Sequence, residues 1–227
     1  MSFDNFDDLD LADNPDPRIA VSLILDTSDS MSQKFPGENR SALEALDGGL
    51  DVLFGAINKD PLARRRIELS FVVYGTKVSP ATPFAPFDKL VFPTLVPSGM
   101  TATGAAVNMA LDSIEERKKI YRANGIQYYR PILMLISDGL ATDSISEAAA
   151  RVKQLEAKKG LSFFAVGVQG ADLAQLSEFS NRGALPLDAL KFDELFQWLS
   201  ASVSAVSSSQ PGDKVSLPAP TGWMEID

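Results

Sequence analysis

Arg18-Ile19-Ala20-Val21-Ser22-Leu23-Ile24-Leu25-Asp26-Thr27-Ser28-Asp29-Ser30 is the stretch whose reading decides the fold. Its first part, Arg18–Asp26, is a short apolar run of the kind buried on both faces in a parallel sheet. Its second part turns polar at once, with an aspartate closing the strand and serines at alternate positions after it. Asp and Ser after a strand are common turn residues. The motif therefore gains meaning only from what else reaches the same edge of the sheet.

Outward from this strand, strand and helix patterns alternate. From Ser41 to Asn58 an apolar stripe runs through Leu43, Leu46, Leu50, Leu53, Phe54 and Ile57, the period of a helix with one buried face. Ile67–Tyr74 (IELSFVVY) reads as a second strand, ended by Gly75. Lys77 to Pro97 is proline-rich, with strand-like pieces such as Lys89–Phe92, and predicts an antiparallel edge strand and a surface excursion. Thr103 to Asn124 predicts a second helix, with Gly125 at the capping position. Ile132–Ser137 (ILMLIS) is the most apolar strand and is expected at the centre. A helix over Ser144–Lys159, a strand over Leu161–Val168, a last strand near Ala184–Leu187 and short helices near Asp172–Phe179 and Lys191–Val206 complete the chain. Repeated strand–helix units demand right-handed crossovers and a sheet covered on both faces. The expectation is a doubly wound, Rossmann-like α/β fold: a mostly parallel six-stranded sheet with one antiparallel edge strand.

The 227 residues suit one domain with tails. Residues 1–17 carry six aspartates (Asp4, Asp7, Asp8, Asp10, Asp13, Asp16) and no basic residue, and predict an acidic, disordered leader. Residues 18–206 form the expected domain. Residues 207–227 are rich in Ser, Pro and Gly, and only Trp223 suggests docking. Without cysteine there are no disulfides, thiol catalysis or thiolate zinc sites. Without histidine the commonest general base and the commonest transition-metal ligand are missing. A metal here must be held by oxygen, which favours magnesium, calcium or manganese. A net charge of −9 speaks against nucleic acid. The acidic start is unlike a targeting peptide, and no apolar run approaches the roughly 20 residues of a membrane span. A cytoplasmic protein is expected.

In open α/β sheets ligands bind beyond the carboxyl ends of the strands, at the switch point. Three segments place oxygen side chains there: Asp26-Thr27-Ser28-Asp29-Ser30, Gly99-Met100-Thr101-Ala102-Thr103-Gly104, and Ser137-Asp138-Gly139. Ser28, Ser30 and Thr101 offer neutral hydroxyls, while Asp26 and Asp138 offer charge. Asp26-x-Ser28-x-Ser30, then Thr101, then Asp138 resembles the metal-ion-dependent adhesion site (MIDAS) of von Willebrand factor A (vWA) domains and integrin inserted domains. The resemblance covers about residues 18–206. It implies that these five residues hold Mg2+, with Mn2+ or Ca2+ as alternatives, the hydroxyls directly and the aspartates often through water. A cation with mainly neutral inner ligands keeps an unmet attraction for an anion, so the implied partner is a protein supplying a carboxylate.

The chain is similar in finer detail to the bacterial tellurium-resistance subgroup called TerY-like. The shared stretches are Asp60-Pro61-Leu62, Glu115-Glu116-Arg117-Lys118 through Tyr121-Arg122-Ala123-Asn124-Gly125, Phe196-x-Trp198-Leu199-Ser200 and Ser209-Gln210-Pro211-Gly212. That likeness implies an adaptor or scaffold in a tellurite-resistance or stress-response system, with a kinase or phosphatase of the same gene cluster as partner. Met100 departs from the pattern, standing where these domains usually have glycine before the threonine.

Two other functions compete. A magnesium-dependent phosphotransferase of haloacid-dehalogenase type also begins with Asp at the end of a first strand, but its chemistry wants Asp-x-Asp. Here the second position is Ser28, and Asp29 is one residue off and points elsewhere. No dinucleotide, P-loop or nucleophile-elbow pattern is present, and no catalytic residue is expected. A vWA domain with a vestigial site is the other alternative, Ser28 and Ser30 then merely capping a helix and Asp138 a turn. Arg64-Arg65-Arg66 reads as a solvated corner, Lys118, Lys119, Lys158 and Lys159 as solvated helix faces, and Tyr128 and Tyr129 as edge packing.

Overall fold

The structure, a computed structural model, describes residues 14–35, 37–138, 140–220 and 222. The expectations for the leader before Asn14, for Gly139 and for Trp223 lie outside the described residues.

Six strands form one sheet in the order β3-β2-β1-β4-β5-β6. They are β1 (Ile19–Asp26), β2 (Ile67–Tyr74), β3 (Ala85–Pro86), β4 (Ile132–Ser137), β5 (Ser162–Gly167) and β6 (Ala184–Pro186). All pairings are parallel except that of β2 with β3. The expected mixed sheet with one antiparallel edge is the observed one. β1 lies between β2 and β4, so the chain leaves it to one side and returns on the other, which opens a crevice at its carboxyl end.

All eight residues of β1 are buried, as a central parallel strand requires. Ile19, Val21, Leu23 and Leu25 face one apolar layer, Ala20 and Ile24 the other. The first layer is closed by α1 (Ala42–Asn58), α2 (Pro61–Arg66) and α6 (Phe192–Ser207), the second by α3 (Thr103–Ala123), α4 (Ser146–Ala157) and α5 (Leu173–Ser177). α1 starts on a capping box: the Glu44 amide donates to Ser41 Oγ (3.2 Å) and the Ser41 amide to Glu44 Oε2 (2.7 Å). Gly49 lets α1 and α6 approach closely, for a Cβ there would stand 2.7 Å from the Phe196 ring.

Several expectations need correction. The edge strand is Ala85–Pro86, not Lys89–Phe92; Phe87–Lys89 is a 3-10 turn and Val91 is 77% exposed. Pro83, Pro86 and Pro93 deny the ladder its amide donors and confine the pairing to two residues. The corner before β2 is the helix α2, with Asp60 Oδ1 accepting from the Leu62 and Ala63 amides at 3.0 Å each and Pro61 fitting its first turn. Its arginines are engaged rather than merely solvated: Arg64 with Asp88, Arg65 with Asp16, Arg66 with the Tyr129 hydroxyl and the Ser207 carbonyl.

Lys118 is buried, not solvated, and donates to Glu115 (2.7 Å). Tyr129 is likewise buried and donates to the Ser209 carbonyl (2.6 Å). The described residues after α6 reach back to the domain, Leu217 packing against the first layer and Trp198 Nε1 donating to the Pro218 carbonyl (2.8 Å). Among the described residues no helix is long and apolar enough to cross a membrane.

Candidate metal centre

The carboxyl ends of β1 and β4 bring Asp26 and Asp138 together. Asp26 is fully buried, its Oδ1 accepting from the Ser28 amide (2.8 Å) and its Oδ2 from the Ser137 hydroxyl (2.5 Å). Ser28 Oγ lies 3.1 Å from Ser30 Oγ, and Ser30 Oγ donates to Asp138 Oδ1 across 2.8 Å. Four of the five sequence-identified residues thus form one connected network. Ser28 precedes a 3-10 turn (Asp29–Ser32), yet its side chain makes no capping hydrogen bond. Both serine hydroxyls are directed into the site instead, which is not what helix capping would give.

Thr101 arrives from the loop before α3. It is buried, its carbonyl accepts from the Thr142 amide (2.8 Å) and its amide donates to Thr142 Oγ1 (3.3 Å). Among the described residues no hydrogen bond joins its hydroxyl to the other four. The loop is pinned to β1 by a residue the sequence did not single out as useful: Asp29 Oδ1 accepts from the Gly99 amide (2.9 Å), and the Asp29 amide donates to the Gly99 carbonyl (2.9 Å). Asp29 therefore does turn away from the centre, and its task is to hold the threonine loop. Gly75 permits the same approach from β2, since a Cβ there would overlap the Ser98 carbonyl at 1.9 Å. Met100, 56% exposed, donates its amide to Thr76 Oγ1 (2.8 Å), so the side chain in place of the family's glycine points outward.

Asp143 was also missed. Its two oxygens accept from the Gly104 and Ala105 amides (3.0 and 2.8 Å), capping α3 from a distant loop. An N-cap residue adjacent in sequence leaves a signal; a cap delivered from 39 residues away leaves none.

The electrostatics are those of a site lacking positive charge. Burial raises the pKa of Asp26 against the hydrogen bonds from Ser137 and Ser28. Burial lifts Asp138 to about 6, opposed by the Ser30 hydrogen bond and reinforced by the Asp26 charge. Burial, then the Asp26 charge, push the Tyr74 phenol well above its usual range. Among the described residues no Lys or Arg forms an ion pair with either carboxylate. A buried carboxylate without a cation is unfavourable, so a divalent ion suits this donor set. Among the described residues no three Asp, Glu, His or Cys side chains gather as a metal cluster. The donor set is two carboxylates and hydroxyl oxygens, as hard cations accept.

This geometry agrees with a match along the sequence: the model of the von Willebrand factor type A domain fits residues 21–197, well over half of the chain. The chain belongs to the von Willebrand factor type A domain family. The collagen alpha-5(VI) chain of Mus musculus is 33% identical over 95 residues, 42% of this chain and 3% of that protein. This vWA chain thus spans a small fraction of that relative's length. Among solved structures it is similar to the pilus adhesin SpaC of Lactobacillus rhamnosus GG (TM-score 0.63, 12% identity, 84% of this chain and 31% of that one). It is also similar to BatB of Bacteroides thetaiotaomicron (0.57, 18%, 84% and 100%). A third is proximal thread matrix protein 1 of the mussel byssus, with zinc occupying its MIDAS motif (0.54, 16%, 84% and 49%). At these identities the solved structures speak for the fold alone. The family is one of metal-dependent protein-interaction modules.

Proposed function

We propose that this vWA domain is a non-enzymatic adaptor in which Asp26, Ser28, Ser30, Thr101 and Asp138 hold a divalent cation that captures an acidic group of a partner protein. The observation that carries this reading is the network from Asp26 and Ser28 through Ser30 to Asp138, two buried carboxylates bridged by hydroxyls with no ion-paired base among the described residues. A bound cation would offer an open coordination position to an anionic oxygen. The chain's own residues do the rest. Ser137 and the Ser28 amide orient Asp26, Ser30 orients Asp138, and Asp29 keeps the threonine loop beside them. The phosphotransferase alternative loses its second carboxylate, because Asp29 is occupied by Gly99.

Mg2+ fits best, with Mn2+ or Ca2+ next, since the chain has neither His nor Cys to favour a softer ion. The zinc in the mussel protein's motif makes Zn2+ the competitor to include. The TerY-like stretches support placement in a cytoplasmic tellurite-resistance or stress-response system, with a kinase or phosphatase as the partner. The five residues are tested by calorimetric titration of Mg2+, Mn2+, Ca2+ and Zn2+ into wild type and Asp138→Ala. Partner capture is tested by affinity isolation in magnesium and again in chelator. Equal metal binding by wild type and Asp138→Ala would move the ion elsewhere, and chelator-insensitive capture would overturn the metal-dependent mode.

A further inference from the structure

A cavity of about 600 Å3 lies at the opposite edge of the sheet from Asp26 and Asp138. It opens at the amino ends of β4 and β5, under the segment that follows α6. The six-residue strand β4 separates it from the metal edge by roughly 20 Å. Its volume is that of small-molecule sites. Its lining is basic in an acidic protein: Lys118, Arg130, Lys159, Arg182 and Lys214 against the single acid Asp213, where the whole chain carries 21 basic and 30 acidic residues.

These cations differ in what holds them. Lys118 is paired with Glu115, and Arg182 with Glu156 (3.5 Å). Asp213 accepts from the Gln210 amide (2.9 Å), which closes its own turn. Among the described residues Arg130, Lys159 and Lys214 have neither a hydrogen-bonded nor an ion-paired side-chain partner. They come from three separate segments: the lead-in to β4, the end of α4, and the chain after α6. Lys159 holds the left-handed position (φ 55°) that closes α4, its amide donating to the Glu156 carbonyl (2.9 Å) and the Gly160 amide to the Leu155 carbonyl (2.8 Å). The apolar part of the lining is the half-buried Tyr128, Val206, Val215 and Leu217, with Tyr129 and Pro131 buried behind them.

From this convergence we infer that the cavity binds a phosphate-bearing small molecule, independently of the metal edge. Three unpaired cations suit a doubly charged phosphate group, and a guanidinium can grip two of its oxygens at once. A mono-carboxylate would leave two of the three cations unanswered. Tyr128, Val206, Val215 and Leu217 give the uncharged part of such a molecule a surface to lie on.

The test is calorimetric titration of the full chain with pyrophosphate and with ADP, in chelator and at physiological salt, so that no metal-held phosphate contributes. Saturable binding of one molecule per chain is expected for both. Arg130→Gln/Lys159→Gln/Lys214→Gln should weaken it by roughly tenfold or more, as loss of charged hydrogen bonds implies. Lys77→Gln/Lys119→Gln, which removes two exposed cations elsewhere, should leave it unchanged. Asp26→Ala should also bind normally, which separates this site from the metal centre. Absence of saturable binding in the wild type, or equal weakening by the two charge variants, overturns the inference.

Discussion

Ser30 and Asp138, 108 residues apart in sequence, are joined by a 2.8 Å hydrogen bond between hydroxyl and carboxylate. The bond couples the ends of two neighbouring parallel strands, and it exists because β1 and β4 are adjacent at the switch point. The two carboxylates are met by the Ser137 and Ser30 hydroxyls and the Ser28 amide, neutral donors that leave their charge uncompensated.

The first expected outcome is metal-linked stability. Magnesium at about 100 times its dissociation constant should stabilise the fold by roughly 2.7 kcal/mol. Asp138→Asn should abolish that gain. In chelator the same variant should be at least as stable as wild type, because it removes a buried charge that lacks a cation. Asp26→Ala should lose the gain and also cost stability, since it leaves the Ser137 hydroxyl and the Ser28 amide without their acceptor. Thermal melts with and without magnesium measure all four. Magnesium stabilisation surviving in both variants would place the ion at another site.

The pH dependence has a definite sign. With a folded pKa of about 6 against about 3.9 unfolded, Asp138 binds more protons in the folded state throughout the interval between. Stability of the chelated protein should therefore rise as pH falls from 7 towards 5. Asp26, also raised, acts in the same direction. Protons and magnesium compete for the same oxygens, so the gain from magnesium should shrink over that same interval. Glu44 is held low by the Ser41 amide and hydroxyl, and Asp60 by hydrogen bonds that outweigh its burial. Both act in the opposite sense, but only below about pH 4.5. Denaturant midpoints at pH 5, 6 and 7 decide it, and Asp138→Asn should flatten the slope.

Among the described residues Thr101 makes no hydrogen bond into the network, and its loop is held by Asp29. A ligand that joins only when the site is filled should matter more for the filled, partner-bound state than for the ion alone. Thr101→Ala is expected to weaken partner capture by roughly tenfold, ~1.4 kcal/mol, and magnesium affinity by distinctly less. Calorimetric titration of the ion and affinity isolation of the partner give the two numbers. Equal losses would make Thr101 a static ligand.

The sheet, its order of burial and the residues at its carboxyl edge were legible because each leaves a local mark: an apolar run, a polar break, a glycine. What escaped was made of relationships between distant segments. Asp143 caps α3 from beyond β4, and Asp29 was recognised only as pointing away. The proline-rich excursion concealed which two residues pair, because several short apolar pieces compete and only Glu68 and Leu69 offer a partner in register. Lys118 read as solvated because helix periodicity reports apolar faces, not whether a charge lies under a neighbouring segment. The unpaired cations of the basal cavity come from three separate segments, and no local pattern assembles them.

Glu68 is the buried case of the same lesson, and its replacement carries the largest expected effect. It sits on β2 with 1% of its side chain exposed, accepting from Arg117 Nε (2.6 Å) and the Tyr121 hydroxyl, with Arg18 Nε 3.3 Å away. Arg18 and Arg117 are each 3% exposed, so one carboxylate answers two buried guanidiniums from β1's entry and from α3. Glu68→Gln keeps the shape and removes the charge that both depend on. Breaking a buried ion pair in this way costs about 3–5 kcal/mol, which for a domain of this size lowers Tm by roughly 10 °C. Tyr121→Phe removes one hydroxyl donor and leaves the charges balanced, so its cost should be nearer 1.5–3 kcal/mol, approximately that of a hydrogen bond to a charged group. Thermal melts in chelator separate the two variants from any metal effect. If Glu68→Gln proved no more costly than Tyr121→Phe, water would have to reach the arginines, and the cluster would not be the sealed anchor between β1, β2 and α3 that its burial describes.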